Sequence, residues 1–304
     1  MAPPYGGSAA AVRATLRAVS TLVSLDGRIL PPARARLSVF DRGFLYGDSI
    51  YEVLRTYGGR PFELPAHLRR LARSAKLIGL ELPLTQGQLR ARLDAVLRAA
   101  GNRESYVRLI VTRGEGPIGL DPALAVHPHV IVIVRPLAAP PREIYERGVA
   151  VEVVDVRRNL RQAVDPAAKT GNYLNNVLAL REARASGGYE ALMLDMRGRV
   201  TEGSTSNVFA VFGARVVTPP LDGILAGVTR GLVLALARRE GFSAQERALR
   251  PADLRRADEL FLTSTLRELV PIVRVDGRPV GDGVPGPATQ RLLEAFRRRA
   301  GVAR

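Results

Sequence analysis

The chain of 304 residues contains no cysteine. Disulfides, a thiolate nucleophile and sulfur-ligated zinc or iron are thereby excluded. Its three histidines, His67, His127 and His129, are too few for a multi-histidine metal site, and no metal is expected. They also leave a Ser/His/Asp triad few places to find its base. Tryptophan is absent, and no run approaches the ~20 uncharged apolar residues of a membrane span, so no membrane partner is expected. Lysine is scarce too: Lys76 and Lys169 stand among 45 basic residues. Arginine keeps its proton and cannot become an amine nucleophile, so each lysine invites inspection.

What is present is an ordinary globular composition, 46% hydrophobic and 24% charged, long enough for one large domain or two medium ones. The net charge of +16 attracts polyanions nonspecifically. The basic residues are spread along the whole chain, however, and little aromatic interleaving is available for stacking on bases. No specific nucleic-acid partner is expected.

Residues 1–20 are rich in Ala, Gly, Pro and Arg and hold no acid. They read as a floppy terminus or a misplaced start codon, with a transit peptide as the alternative, and are set aside from the fold. Beyond them strands and helices mix. Asp26-Gly27 centres a strand pair, and Gly58-Gly59 joins Ile50–Tyr57 to Arg60–Leu64 as a second hairpin. Pro65 opens a helix carrying Leu68, Leu71, Ala75 and Ile78, with Lys76 on its solvated side, and Gly87–Ala100 makes another. Tyr106–Thr112 and Val130–Val134 are strands, and the Pro-rich stretch Leu137–Pro141 marks a joint.

The second half opens with strand Val149–Val156 and helix Asn172–Ala185. A meander over Glu190–Asp195, Val200–Glu202 and Asn207–Val211 follows. Helix Thr229–Arg239, strand Glu259–Thr263 and a terminal helix Pro287–Arg298 complete it. Neither repeats nor βαβ alternation is evident. The reading is an α+β chain in two domains: 21–137 small, 138–145 linker, 146–304 large and cofactor-binding.

Four clusters in the second half suit one ligand. Lys169 lies in a loop before a helix, in Asp165-Pro-Ala-Ala-Lys-Thr-Gly171. Glu202 is an acid among small polar residues in Val200-Thr-Glu-Gly-Ser-Thr-Ser-Asn207. Gly227-Val228-Thr229 opens a helix, and Thr263-Ser-Thr265 ends a strand in hydroxyls. Singly, each also fits a solvated loop, a turn or a plain cap. Together they supply a Schiff-base lysine, an acid for a ring nitrogen and two phosphate cradles, the parts that a pyridoxal phosphate site requires.

These motifs, in this order and spacing, resemble the class IV aminotransferases, the fold type IV pyridoxal phosphate enzymes. That group includes branched-chain amino acid aminotransferases, D-amino acid aminotransferases and aminodeoxychorismate lyases. The resemblance spans about Thr21 to Phe296 and is most specific at Lys169–Tyr173, Thr201–Asn207, Gly227–Arg230 and Thr263–Glu268. It implies that Lys169 is catalytic, bonding the cofactor and shuttling the substrate's proton. It implies that Glu202 pairs with the pyridine nitrogen and Tyr173 with the phenolic oxygen. Leu225 packs on the ring, and Arg70, Val228, Thr229 and Thr265 hold the phosphate.

For the substrate, the motifs divide. Tyr106-Val-Arg108 matches the branched-chain enzymes' Tyr-x-Arg strand, with Tyr46 of the partner subunit closing the pocket and Tyr51, Arg55 and Leu266 lining it. Tyr51-Glu52-Val53 is closer to the D-amino acid enzymes, and Arg113 lies where those hold a carboxylate. The resemblance thus implies a cytoplasmic homodimer, with its site at the subunit interface, moving an amino group between a hydrophobic L-amino acid and 2-oxoglutarate. A D-amino acid aminotransferase and an aminodeoxychorismate lyase are the alternatives. A basic binding protein on an inactive scaffold is the rival of another class, and a bound, borohydride-sensitive chromophore would exclude it.

Overall fold

The computed structural model describes residues 21–302; the expectation for residues 1–20 lies outside them. The first sheet is built from β1 (Leu22–Leu25), β2 (Arg28–Leu30), β3 (Ser49–Tyr57), β4 (Arg60–Pro61), β5 (Ser105–Thr112) and β6 (Val130–Pro136). Their order across the sheet is β2-β1-β6-β5-β3-β4, antiparallel throughout. The hairpins at Asp26-Gly27 and Gly58-Gly59 are present. The second has a shorter return strand than expected, because Leu64 already starts a helix.

That helix is α2, Leu64–Leu77, preceded by the short α1 (Arg42–Tyr46) and followed by α3 (Gln86–Ala100). On α2, Leu64, Leu68, Leu71 and Ala75 form a buried stripe, and on α3 Leu89, Leu93 and Val96 do the same. Both stripes join Leu54, Val107, Leu109, Val111, Val132 and Val134 of the sheet in one core. Each fully buried leucine contributes about 1.5–3 kcal/mol. Thr85 and Gln88 close a capping box at the start of α3, and Gly101 ends it in the left-handed conformation. Lys76 is exposed on α2, as its position outside the stripe implies.

After α4 (Glu143–Glu146) come β7 (Val149–Val153), α5 (Leu174–Ala185), β8 (Glu190–Leu194), β9 (Val200–Gly203), β10 (Asn207–Phe212) and β11 (Arg215–Thr218). Then follow α6 (Val228–Arg239), β12 (Ser243–Glu246), α7 (Pro251–Arg256), β13 (Glu259–Ser264), β14 (Glu268–Val275), β15 (Arg278–Pro279) and α8 (Pro287–Ala300). The second sheet runs β12-β11-β10-β13-β14-β7-β8-β9, with β15 paired to β14.

Two expectations need correction here. The meander stops after β8 and β9, because β10 pairs with β11 and β13 instead of β9. The intervening Ser204–Ser206 loop spends its hydroxyls on a buried carboxylate, Glu190, and turns the chain away. The expected absence of βαβ units also fails. β7 and β8 are parallel with α5 between them, and β11 and β12 are parallel with α6 between them. β12 escaped notice because Ser-Ala-Gln-Glu has no alternating apolar face. Antiparallel pairing still dominates both sheets, and the fold class is α+β. Among the described residues, no helix is long and apolar enough to cross a membrane.

Candidate active site

Lys169 sits in the segment between β7 and α5, and its backbone is laid against the first sheet. Its amide donates to Ser74 Oγ on α2 at 3.0 Å, and its carbonyl accepts from the Tyr51 amide on β3 at 2.9 Å. Gly171 follows at a point where a side chain has no room: a Cβ would lie 2.4 Å from Ser49 Oγ. Held this way, Lys169 Nζ points between two phenols, 3.3 Å from Tyr51 Oη and 3.4 Å from Tyr173 Oη. The two rings meet edge to face at 5.7 Å. Burial pushes the Tyr51 hydroxyl well above its usual range, so it stays protonated as a neutral neighbour of the amine. Among the described residues, no carboxylate forms an ion pair with Lys169.

The amine opens into a cavity of about 490 Å³ whose lining includes Arg70, Lys169, Tyr173, Glu202, Leu225, Val228, Thr229 and Thr265. The structure thus brings together every residue expected to hold the cofactor. Glu202, on β9, is 4% exposed and accepts from Arg158 Nε at 2.9 Å, the Leu225 amide at 3.1 Å and Asn207 Nδ2 at 3.3 Å. Burial raises its carboxyl above the usual range, against the opposing pull of Arg158 and the Leu225 amide. A protonated ring nitrogen is the kind of partner such a carboxylate favours.

The cavity lining also holds a set of donors. Among the described residues no side chain caps the N-terminus of α6, and Gly227, Val228 and Thr229, which open that helix, line the cavity. Thr263 Oγ1 is buried there with no hydrogen-bond partner among the described residues. Arg70 contributes one edge of its guanidinium. The other edge is fixed, Nε and Nη2 donating to the two oxygens of Glu52 at 2.7 and 2.6 Å, and Nη1 reaches the Ala226 carbonyl at 3.1 Å. Burial alone would raise the fully enclosed Glu52, but Arg70 and His67 hold its carboxyl at about 2. An orphaned hydroxyl, uncapped amides and an oriented arginine fit a phosphate, and Lys169 fits the aldehyde. The donor set therefore matches pyridoxal phosphate.

The residues expected to read the substrate separate into two groups. Tyr51, Tyr106, Arg108 and Leu266 line the cavity, together with Val53. On β5 the inward series Val107, Leu109, Val111 leaves Tyr106 and Arg108 on the cavity face. Arg108 stands opposite Val53 in the ladder and stacks on the Tyr51 ring at 4.1 Å. Tyr46, Arg55 and Arg113 do not line this cavity in the single chain. Tyr46 accepts from the Gly119 amide at 3.2 Å. Arg55 donates to the Leu266 carbonyl at 3.3 Å and pairs with Glu268, facing a second cavity. Arg113 donates to Asp48 at 2.6 Å and to the Ile78 and Gly79 carbonyls at 2.8 and 2.9 Å.

Sequence reasoning missed Glu52, His67, Arg158, Glu190 and Arg267. The acids had a signal: each is charged inside an otherwise buried strand. The arginines had none, being indistinguishable among so many others.

Comparison with known proteins agrees with this geometry. The amino-transferase class IV profile matches residues 49–275. The chain is 40% identical over 276 residues, 90% of its length and 95% of the relative's, to a Methanocaldococcus jannaschii protein. That relative's name assigns it, provisionally, as a branched-chain-amino-acid aminotransferase. The chain is 34% identical over 275 residues, 90% and 95% of the two lengths, to the D-alanine aminotransferase of Bacillus licheniformis. Among solved structures, the branched-chain amino acid aminotransferase of Thermobaculum terrenum in its PLP-form superposes with a TM-score of 0.83 at 27% identity, covering 93% of this chain and 94% of that one. The chain belongs to the class IV aminotransferases and is a pyridoxal phosphate-dependent aminotransferase.

Proposed function

We propose that the enzyme exchanges an amino group between a hydrophobic L-amino acid, branched-chain by default, and 2-oxoglutarate, acting in the cytoplasm as a homodimer. The observation that carries the acceptor is the state of the cavity's arginines. Four line it: Arg70, Arg108, Arg158 and Arg267. Arg70 is paired with Glu52, Arg158 with Glu202 and Arg267 with Glu190, whereas Arg108 has no acidic partner among the described residues. A buried-edge arginine stacked on Tyr51 beside the reacting lysine suits the side-chain carboxylate of glutamate or 2-oxoglutarate. With that acid absent, Val53, Tyr106 and Leu266 offer an apolar wall to a branched side chain.

When bound, pyridoxal phosphate supplies the electron-withdrawing ring that makes the substrate Cα proton removable. Lys169 Nζ is placed to take that proton and return it, with the Tyr51 and Tyr173 hydroxyls fixing its direction. Glu202 orients and stabilises the ring from its nitrogen end, while Arg70, Thr229 and Thr265 hold the phosphate.

A homodimer is supported by exposed apolar surface. Phe44, Ile118, Leu120 and Leu174 are 68–80% exposed. Arg42 ties the Gly119–Leu120 segment to α1, and Asn172 donates to the Gly47 carbonyl. The partner subunit's Tyr46 then closes the pocket. Two domains divided at 138–145 are supported by separate sheets drawn from residues 22–136 and 149–279.

The similarity to a D-alanine aminotransferase supports a D-selective reading. That reading assigns a carboxylate to Arg113, which here is committed to Asp48 and two carbonyls. Turnover of L-leucine against D-alanine, each with 2-oxoglutarate, decides between them. We expect L-leucine to be the better donor; a clear preference for D-alanine contradicts the proposal.

A further inference from the structure

The cofactor roles above leave one fully buried carboxylate unused. Glu190, the first residue of β8, has no exposed surface. Its Oε1 accepts from the Ser204 amide at 3.1 Å and from the Ser204 hydroxyl. Its Oε2 accepts from the hydroxyls of Thr205 at 3.0 Å and Ser206 at 3.2 Å, and from Arg267 Nη2 at 2.9 Å. Arg267 in turn donates to Thr205 Oγ1 at 2.7 Å and, through Nε, to Ser264 Oγ at 3.3 Å. One ion pair thus gathers the loop that follows Glu202 and the turn that carries Thr265. Burial works to raise the Glu190 carboxyl, but Arg267 and the hydroxyls hold it below its usual range.

On the proposed cofactor roles the two gathered segments hold different ends of one ligand, and both line the same cavity. Glu202 is on β9 and Thr265 follows β13, and three strands separate β9 from β13 in the sheet. A shorter route runs from Glu202 through Ser204–Ser206 to Asn207, whose ladder partner is Thr263. That loop has one backbone bond of its own, Gly203 amide to Ser206 carbonyl at 2.7 Å. Glu190 packs beneath it, since a Cβ on Gly203 would lie 3.2 Å from Glu190 Cγ. The Ser-Thr-Ser hydroxyls, which the sequence shows only as small polar neighbours of Glu202, are donors to this acid.

We propose that Glu190 and Arg267 are positioning residues: by bracing Ser204–Ser206 against Ser264–Arg267 they fix the separation of Glu202 and Thr265 and so the seating of the cofactor. Arg267 lines the cavity, but its Nε and Nη2 groups are directed to Ser264, Glu190 and Thr205, and it acts through those loops. The inference rests on the reading of Glu202 and Thr265 as cofactor contacts and is independent of which amino acid is the donor.

The test uses the holoenzyme with Arg267→Met, Arg267→Lys and Thr205→Val. Cofactor retention on dialysis, visible circular dichroism of the bound cofactor, and kcat and KM for L-leucine and 2-oxoglutarate are measured. Arg267→Met should release cofactor about tenfold more readily and weaken the visible dichroism. It should lower kcat by one common factor with both substrates, leaving the ratio between their KM values unchanged. Arg267→Lys, which keeps the charge beside Glu190, should recover part of the loss. Thr205→Val, at an exposed position that folding tolerates, should move retention in the same direction by less. Parental retention and dichroism in Arg267→Met overturn the proposal. So does a KM increase seen with 2-oxoglutarate alone, which would make Arg267 a substrate contact. Thr265→Ala separates the two levels: retention lost there and kept in Arg267→Met overturns the positioning role, whereas retention kept in Thr265→Ala overturns the phosphate reading beneath it.

Discussion

Among the described residues, a cavity of about 490 Å³ at Lys169 can be set against one of about 610 Å³ between β3, α4 and α8. The larger is also rich in charge, lined by Arg55, Arg142, Glu268, Glu294, Arg297 and Arg298 with Tyr57 and Tyr145. Most of its charged groups are spent on one another, although Arg55 Nε is buried there without a partner among the described residues. Glu268 accepts from Tyr57 Oη at 2.7 Å, from Arg297 Nε at 2.9 Å and from Arg55 at 3.4 Å. Burial pushes Tyr145 up to about 12 and Tyr57 further, so both phenols remain neutral donors there. In the smaller cavity an amine and Arg108 lack acidic partners among the described residues, a threonine hydroxyl is orphaned and a helix end is uncapped. Volume and charge therefore do not distinguish the candidate site; an amine, a hydroxyl and a helix end left together for one ligand do.

Breaking that comparison begins with the two lysines. Lys169→Ala should lower turnover by on the order of 10³-fold or more, because the group proposed to bond the cofactor and move the proton is gone. Lys76→Ala, exposed on α2, should leave turnover near the parent value. Steady-state kinetics with saturating cofactor, and peptide mapping after borohydride reduction, check both. Label on Lys76 would reverse the assignment.

The second cavity sharpens the comparison from the other side. Glu268→Gln leaves Arg55 and Arg297 without their shared carboxylate and should cost about 3 kcal/mol of stability. Glu268 also holds a left-handed φ of 58°, so its backbone is already in a conformation that a side chain resists. Thermal or urea unfolding of the cofactor-loaded enzyme reads this effect. The relative kcat/KM for leucine and 2-oxoglutarate should stay as in the parent. A changed substrate ratio would mean that the second cavity takes part in catalysis.

Much of the site was legible in the sequence because its signals were rare or positional. Lys169 stood out as one of two lysines, Gly227 announced a helix start, and Thr263–Thr265 ended a strand in hydroxyls. Helix ends at Gly79 and Gly101 were visible for the same reason, a glycine in the left-handed conformation after an apolar stripe. Other parts depend on which partner captures a common residue. Arg113 is on the chain beside the site, but Asp48 and the carbonyls at the end of α2 draw it away. Arg55 shares a strand face with Val53, yet Glu268, 213 positions later, fixes it elsewhere. Glu190 and Arg267 pair across a separation of 77 residues that no local pattern records. β12 and the departure of β10 from the meander likewise follow from long-range pairing.

The central claim is that the cavity's uncommitted arginine meets the side-chain carboxylate of the acceptor. It is tested most directly by Arg108→Ala, with kcat/KM measured for 2-oxoglutarate and for the 2-oxo acid of leucine. Loss of a charge-assisted contact is worth about 2 kcal/mol, so 2-oxoglutarate should fall roughly 30-fold while the apolar oxo acid changes little. Equal losses with both oxo acids, or no loss with 2-oxoglutarate, would contradict the account.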